Sequence, residues 1–227
     1  MKNLFINEID AQIQTKHLLK HPFYQAWSRG ELSLECLQDY AQNYSHHVQA
    51  FPTYLSALHS HTENTDTRRI LLQNLVEEEA GRPNHPDLWQ NFAKALGVST
   101  LSLANHKPSS SIETLIQTFR TICLEHTTAE GIAALYAYES QIPEICVSKI
   151  AGLKEHYQIQ NREGLEYFSI HIAADTKHAA EERALLESYV TADNQALVRS
   201  SVDRILDALG GFLSSLCQKY AIACPSH

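Results

Sequence analysis

Glycine and proline are scarce in this sequence, with 8 and 7 positions among 227 residues. So few of the two residues that punctuate loops disfavours a loop-rich chain and favours a helical one. Long apolar runs are also missing, since the longest, Ile132–Tyr138, is far shorter than the roughly 20 residues that span a bilayer. The N-terminal region carries Glu8 and Asp10 and no apolar stretch, so we expect neither a signal peptide nor a membrane partner.

Positive charge is in the minority, with 18 basic against 26 acidic residues and a formal net charge of −8. Such a balance gives no broad basic surface for nucleic acid or an anionic membrane. The 5 cysteines are an odd number and form no C-x-x-C motif, so we expect free thiols and a cytoplasmic location. Histidine is abundant, with 13 positions, and this directs attention to metal binding.

Helix signals recur along the whole chain, and no segment has the alternation typical of a strand. Ser33 is predicted to cap a long helix, and Pro86 and Gly97 are typical of the start and end of another. Further helices are predicted over residues 7–20, 128–157, 161–190 and 193–220, with a polar linker over 99–110. Residues 1–227 are therefore predicted to form one all-α domain of seven or eight helices, with a loose tail after about residue 220.

The clearest chemical signal is the spacing His171-x3-Asp175-x2-His178. At about 100° per residue these three side chains fall within one arc of about 60°, on the same face as the apolar Phe168 and Leu185. Inward-facing imidazole and carboxylate groups are costly unless they are hydrogen-bonded or bind a metal. The spacing therefore fits a metal site, or alternatively a buried His–Asp hydrogen-bond network.

Residues on other helices extend this pattern. Glu78 continues the apolar stripe of Leu71 and Leu75, and Glu139 lies in the apolar stripe of a later helix. His85 is either a further ligand or simply the first residue of its helix. Three carboxylates and three histidines that face inward from separate helices are typical of a dinuclear metal site. Such oxygen and nitrogen ligands, without thiolates, suit iron and manganese.

Three nearby residues receive simpler interpretations. Glu77 points away from the apolar stripe and is predicted to lie on the solvated face of its helix. His47 lies on an apolar stripe and is predicted to be a hydrogen-bonded core histidine, or one that supports a ligand from outside. Cys146 shares the stripe of Glu139 and is expected to be a core residue.

Several longer motifs resemble one family of proteins. They are Phe23-Tyr24-x-x-Trp27, Ala50-Phe51-Pro52-x-Tyr54-Leu55-Ser56, Pro83-Asn84-His85, Ala134-Leu135-Tyr136-x-Tyr138-Glu139-Ser140-Gln141-Ile142-Pro143 and the His171–His178 spacing. Together they resemble the CADD-type proteins, which are the chlamydial death-domain-associating protein and its bacterial relatives within the PqqC/TenA-like group. The resemblance covers the chain to about Tyr189 and is weak beyond that point.

This resemblance implies a haem-oxygenase-like helical bundle that binds no haem and acts as a dimetal oxidase. The implied metals are iron with manganese, or two irons, and the implied co-reactants are O2 and an external reductant. The metal ligands implied by the family are Glu78, His85, Glu139, His171, Asp175 and His178.

The resemblance further implies oxygen-dependent synthesis of para-aminobenzoate for folate synthesis. The aromatic ring would come from the protein's own Tyr24 and the amino group from Lys149, so each chain would react once. Tyr138 is a third candidate catalytic residue, because a tyrosine beside an oxygen-activating metal pair can relay electrons and protons. Without the family, a surface position is favoured for Lys149, which could also reach inward, and packing is favoured for Tyr24. Tyr40, Tyr44, Tyr54 and Tyr136 could likewise act as relays, as proposed for Tyr138, or simply pack in the core.

Two other enzyme classes also fit the sequence. One is a dimetal oxygenase that acts on an external small molecule. The other is a metal-free PqqC- or thiaminase-like enzyme, for which Cys146 would be the candidate nucleophile. Association with death domains is not expected as a main role, because no exposed recognition motif is evident. By analogy with relatives on this fold we expect a homodimer.

Overall fold

The computed structural model describes residues 2–223, with side chains from residue 4 onward. Within this range the regular elements are eleven α-helices and one 3-10 turn, and no strand occurs. The helices are α1 (Lys2–Thr15), α2 (Pro22–Ser28), α3 (Leu34–His61), α4 (Thr65–Glu79), α5 (His85–Ala95), α6 (Thr100–Asn105), α7 (Ser110–Glu125), α8 (Thr128–Glu139), α9 (Ile142–His156), α10 (Arg162–Tyr189) and α11 (Gln195–Lys219).

The all-α prediction is confirmed, but the elements are more numerous and shorter than the predicted seven or eight. The helix predicted over 7–20 ends at Thr15 and is followed by a separate 3-10 turn, Leu18–Lys20. The segment 99–110, predicted as a linker, contains α6. Most of the predicted loose tail, residues 224–227, lies outside the described residues.

Side-chain caps fix several of these helix starts. The hydroxyl of Ser33 accepts a hydrogen bond from the Cys36 amide at 3.1 Å, which confirms the predicted cap of α3. Asn84 forms a reciprocal capping box at the start of α5, so the backbone of His85 is held in a defined first turn.

The helix predicted over 128–157 is instead two helices, α8 and α9, because of Pro143. Proline has no N–H group, so the carbonyl of Glu139 cannot receive the helical bond that position 143 would otherwise donate. Gln141 stabilises the break, since its Nε2 donates to the Ala137 carbonyl at 2.6 Å and its Oε1 accepts from the Leu18 amide at 2.9 Å. Glu139 is consequently the last residue of α8, inside the bundle.

Helix α10 packs its inner face against α5, α8 and α9. Helix α8 lies at the centre of the bundle, since all of its residues from Ala129 to Glu139 are buried. Helix α3 packs against α4, α5 and α7, and α11 covers α7 and α8. Helix α2 approaches α9 closely at Gly152, where an added Cβ would lie 2.7 Å from Cδ1 of Trp27. None of the helices within residues 2–223 combines the length and apolarity that a membrane crossing requires.

Candidate metal centre

The six predicted ligands meet in the interior as two groups of three. Glu78, His85 and His171 form the first group, and Glu139, Asp175 and His178 form the second group. In each group the potential ligand atoms all lie within 4.8 Å of one another, and all six side chains are buried. Four helices contribute, because α10 supplies three ligands while α4, α5 and α8 each supply one.

The first group presents one carboxylate and two imidazoles. Nδ1 of His85 lies 2.7 Å from Oε2 of Glu78, and the rings of His85 and His171 are 4.4 Å apart. Nδ1 of His171 is 2.6 Å from the Tyr167 carbonyl and donates to it, which leaves Nε2 available as a ligand. Burial lowers the pKa of His171 to about 3, so the imidazole is neutral, as metal binding requires.

The second group is oriented by hydrogen bonds on both sides. Nδ1 of His178 lies 3.2 Å from Glu139 and 3.5 Å from Asp175, while its Nε2 donates to Glu77 at 2.9 Å. Asn74 donates from Nδ2 to Glu139 at 3.1 Å. Partners of this kind fix the ring orientation and tautomer of a ligating histidine.

The charges in the second group are unbalanced in the protein alone. Burial raises the pKa of Asp175 well above its ordinary value, and the neighbouring Glu139 and Glu78 add to this effect. Burial would lower the pKa of His178, but contacts with Asp175 and Glu139 outweigh it and raise this pKa to about 11. The carboxylates thus hold a proton on His178 at the position where a cation would replace it.

The residues present fit a pair of metal ions. Nδ1 of His85 and Nδ1 of His178 are buried and complete no hydrogen bond, although each points toward a carboxylate oxygen. In each group, a divalent cation between the nitrogen and the carboxylate oxygen would give both atoms a partner. Imidazole and carboxylate ligands without thiolate suit iron and manganese rather than a structural zinc ion.

A cavity of about 10 Å³ lies against both groups. It holds about one water-sized molecule and is far smaller than the roughly 300 Å³ of an ordinary small-molecule site. The residues that line it are Val48, Phe51, Glu78, Tyr138, Glu139, Tyr167, His171 and Asp175. In this conformation of the protein, the cavity is too small for an aromatic substrate.

Tyr24 and Lys149 lie together in an aromatic cluster that adjoins this centre. Both are buried, with 3% and 4% of their surface exposed, so Lys149 is not a surface lysine. Nζ of Lys149 donates to Oη of Tyr40 at 2.6 Å and lies 5.1 Å from the centroid of the Tyr24 ring. The hydroxyls of Tyr24 and Tyr40 are 3.3 Å apart. Burial lowers the pKa of Lys149 to about 8, which favours the neutral, nucleophilic amine.

The other tyrosines divide into two sets. Tyr138 lines the metal cavity, and its hydroxyl lies 2.7 Å from that of Tyr44. Tyr167 also lines the cavity but was not singled out in the sequence. Tyr54 and Tyr136 do not line it, since Tyr54 stacks on Phe119 and Tyr136 donates to Asp10.

His47 is buried in the core, as predicted, but only one of its ring nitrogens is hydrogen-bonded. Nδ1 lies 3.3 Å from the Tyr54 hydroxyl, while Nε2 has no partner among the described residues. Cys146 is buried too, and burial raises the pKa of its thiol to about 12. A thiol held in the protonated form is a poor nucleophile, which disfavours the metal-free enzyme with a catalytic cysteine.

Glu77 lies at the edge of the solvated face predicted for it, but the prediction that it points away from the other candidate ligands is wrong. Its side chain is 34% exposed, yet one carboxylate oxygen accepts from His178 and the other from Lys177 at 2.8 Å. Helical periodicity missed this contact because Glu77 reaches across to α10 from the edge of α4.

Glu182 is a functional candidate that was not singled out in the sequence. It is buried, neither of its carboxyl oxygens has a hydrogen-bond donor among the described residues, and it adjoins Glu139. Its position, four residues after His178, continues the stripe of His171 and Asp175, and this spacing could have revealed it.

A family model described as an iron-containing redox enzyme matches residues 38–210, which is most of the chain. The chain therefore belongs to this family of iron-containing redox enzymes, and it is an oxidoreductase. A solved structure from Shewanella denitrificans, described as a domain of unknown function with a heme oxygenase-like fold, matches with a TM-score of 0.80. The match covers 95% of this chain and 91% of that one at 14% identity, so it establishes the haem-oxygenase-like fold alone.

Two sequence relatives are much closer. A 4-aminobenzoate synthase of Chlamydia pneumoniae is 48% identical over 211 residues, covering 93% of this chain and 94% of that protein. A 4-aminobenzoate synthase of Nitrosomonas europaea is 42% identical, covering 96% of this chain and 93% of its own length. The predicted resemblance to the CADD-type group is confirmed. It also extends further than predicted, because 211 aligned residues must continue beyond Tyr189.

Proposed function

We propose that this enzyme is a dimetal oxidase that makes 4-aminobenzoate from its own Tyr24, with Lys149 as the source of nitrogen. The observation that carries the proposal is the enclosed pairing of these two side chains beside a metal cavity of about 10 Å³. A substrate that is already part of the core needs no larger binding pocket. The relatives named 4-aminobenzoate synthase support the choice of product.

The bonds that must change agree with the positions of the two side chains. The phenol oxygen of Tyr24 is exchanged for nitrogen, the bond between Cα and Cβ breaks, and Cβ becomes a carboxylate. The Tyr40 hydroxyl contacts both the Tyr24 hydroxyl and Nζ of Lys149, so it holds the amine next to the carbon that must accept nitrogen. The bond between Nζ and Cε of Lys149 breaks with oxidation of Cε to an aldehyde, and the phenol oxygen leaves as water. The nitrogen departs with the product, so each chain reacts once.

The metal ions would be held by the two groups of three ligands, and we propose iron with manganese. When bound, they would supply the reduction of O2 that these oxidations need, with electrons from an external reductant. The protein contributes a dry compartment around the reacting side chains, since Tyr24, Tyr40 and Lys149 are all buried. Within it, burial holds a phenol and an amine of lowered pKa together without competing water.

The test is a single-turnover experiment on protein grown with ring-labelled tyrosine. The protein is loaded anaerobically with Fe(II) and Mn(II) and then given reductant and air. We expect ring-labelled 4-aminobenzoate at no more than one molecule per chain, with a mass loss in the peptide that contains Tyr24. Unlabelled product, or many molecules per chain, would instead establish an external substrate.

Two variants and their controls sharpen this test. Tyr24→Phe and Lys149→Arg should abolish the product while both variants still bind the metals. Lys154→Arg is the matched control, because Lys154 is an exposed lysine on the same helix. Full product from Tyr24→Phe would overturn the assignment of the sacrificed residue.

A further inference from the structure

Tyr24 does not line the metal cavity, although the proposed function requires its oxidation. Tyr138 lines the cavity and contacts Tyr44, whose ring stacks on that of Tyr40 beside Tyr24. The site where O2 would be reduced and the side chain that would be oxidised are therefore not in direct contact. Tyr44 lies between them.

An unbroken series of contacts connects the cavity to Tyr24. The hydroxyls of Tyr138 and Tyr44 are 2.7 Å apart. The ring of Tyr44 stacks on that of Tyr40, with 5.3 Å between centroids and 21° between planes. The hydroxyl of Tyr40 in turn contacts the hydroxyl of Tyr24 at 3.3 Å and Nζ of Lys149 at 2.6 Å.

The series is enclosed by protein. Tyr24, Tyr40, Tyr44 and Tyr138 are between 0% and 7% exposed. Burial raises the pKa of Tyr24, Tyr40 and Tyr44, so each of these phenols keeps its proton until it loses an electron. Because these tyrosines are shielded from solvent, their protons move along the hydrogen bonds between the side chains.

We propose that Tyr44 is a redox relay that connects the metal cavity to Tyr24, and this inference rests on the proposed function. One electron passes from Tyr24 through the rings of Tyr40 and Tyr44 to Tyr138 and then to O2. The proton of Tyr44 moves to Tyr138 and back along their hydrogen bond.

Lys149 is the final acceptor of the proton that Tyr24 loses. When Lys149 is in its neutral form, the Tyr24 hydroxyl passes its proton to the oxygen of Tyr40, and Tyr40 passes its own proton to the lone pair of Nζ of Lys149. The step therefore ends with a Tyr24 phenoxyl radical, a protonated Lys149 and O2 reduced by one electron. Tyr40, Tyr44 and Tyr138 return to their starting forms.

A second aromatic route exists but lacks a path for protons. Tyr167 contacts Trp89 at 4.8 Å between centroids, and Trp89 contacts Tyr40 at 6.0 Å. The indole N–H of Trp89 donates to the Ala41 carbonyl at 2.8 Å, so it exchanges no proton with any of these phenols. The route through Tyr44 has a hydrogen bond to Tyr138 at the cavity end, and Tyr40 contacts Tyr24 and Lys149 at the other end.

The test compares Tyr44→Phe with Tyr54→Phe. Tyr54 is equally buried and contacts His47, but it makes no contact with Tyr24 or Lys149 among the described residues. Tyr44→Phe keeps the stacked ring and loses the hydrogen bond to Tyr138. We expect its rate of product formation to fall roughly tenfold or more with unchanged metal content, and Tyr54→Phe to behave as wild type.

A structural role for Tyr44 is distinguished by spectroscopy. Replacement of Tyr44 by 3-aminotyrosine, which is oxidised more easily, should give a trapped aminotyrosyl radical in the electron paramagnetic resonance spectrum after O2 is added. If wild type makes product while Tyr44→Phe is equally fast, or no radical forms at position 44, the relay is wrong. If wild type makes no product under the same conditions, it is the proposed function that fails.

Discussion

Glu77 illustrates how a partly exposed side chain can support a buried group. Its carboxylate accepts from Nε2 of His178 on one oxygen and from Lys177 on the other. The opposite nitrogen of His178 then faces Glu139 and Asp175, at the position where a metal ion would replace its proton. A metal bound there would depend on this outer carboxylate for the orientation and basicity of its imidazole ligand.

We therefore expect Glu77→Ala to weaken metal binding without removing a ligand. The affinity of one of the two metal positions should fall by about 10- to 100-fold. Titration of the metal-free protein with Mn(II) against a coloured chelator measures this directly. Glu79→Ala is the control, because Glu79 is exposed and close in sequence on the same helix. Equal affinities of the two variants would exclude the supporting role.

At the scale of helices, the approach of α2 to α9 brings Tyr24 next to Lys149. Gly152 permits this approach, since an added Cβ would lie 2.7 Å from Cδ1 of Trp27 and 3.1 Å from the Trp27 carbonyl oxygen. A rigid indole ring and a backbone atom cannot move aside cheaply. Nε1 of Trp27 also donates to the Lys149 carbonyl at 3.3 Å, so the two helices are joined at the reacting pair.

Two glycine substitutions should consequently have opposite effects. Gly152→Ala is expected to lower the free energy of unfolding by about 1–3 kcal/mol, because it overpacks the contact between α2 and α9. Gly210→Ala, in the middle of α11 with no atom within 4 Å of the added Cβ, is expected to raise it by roughly 0.5–1 kcal/mol. Urea unfolding of both variants measures the difference, and a destabilised Gly210→Ala would contradict the open space around that position.

The sequence was sufficient for the helical class and for the faces that carry the six proposed ligands, because both follow from helical periodicity. It was insufficient where tertiary contacts decide. The helix α6 has only 6 residues, and the break caused by Pro143 is stabilised by a hydrogen bond from a distant turn to Gln141. Glu77 and Tyr44 have their partners on other helices, and no spacing along one helix encodes such a pair.

At the scale of the whole molecule, the buried amine of Lys149 makes stability depend on pH. Its pKa falls from the ordinary 10.5 to about 8, which corresponds to about 3 kcal/mol. Below about pH 8 the amine is protonated in both folded and unfolded chains, so the full penalty applies. As pH rises from about 8 to about 10.5, the folded chain releases its proton first and the penalty disappears.

Lys149→Met should therefore be more stable than wild type near neutral pH, by up to about 3 kcal/mol less the lost hydrogen bond to Tyr40. The advantage should shrink between about pH 7 and about pH 10, as measured by urea unfolding at both values. Lys154→Met, at an exposed position of the same helix, should show no such change. A stability difference that is constant with pH would show that the buried charge of Lys149 is not its cause.

The tight packing around Tyr24 also affects the lifetime of a chain that has reacted. The ring is packed against Phe23 and Trp27 at centroid distances of 5.5 Å and 6.3 Å. Loss of an aromatic ring from such a site costs about 3–5 kcal/mol, a large part of the stability of an ordinary domain. By the proposed reaction, a used chain would open more often than a fresh one and be degraded sooner. The reaction that releases the product would then also destabilise the chain. The amount of product would depend on how many new chains are translated.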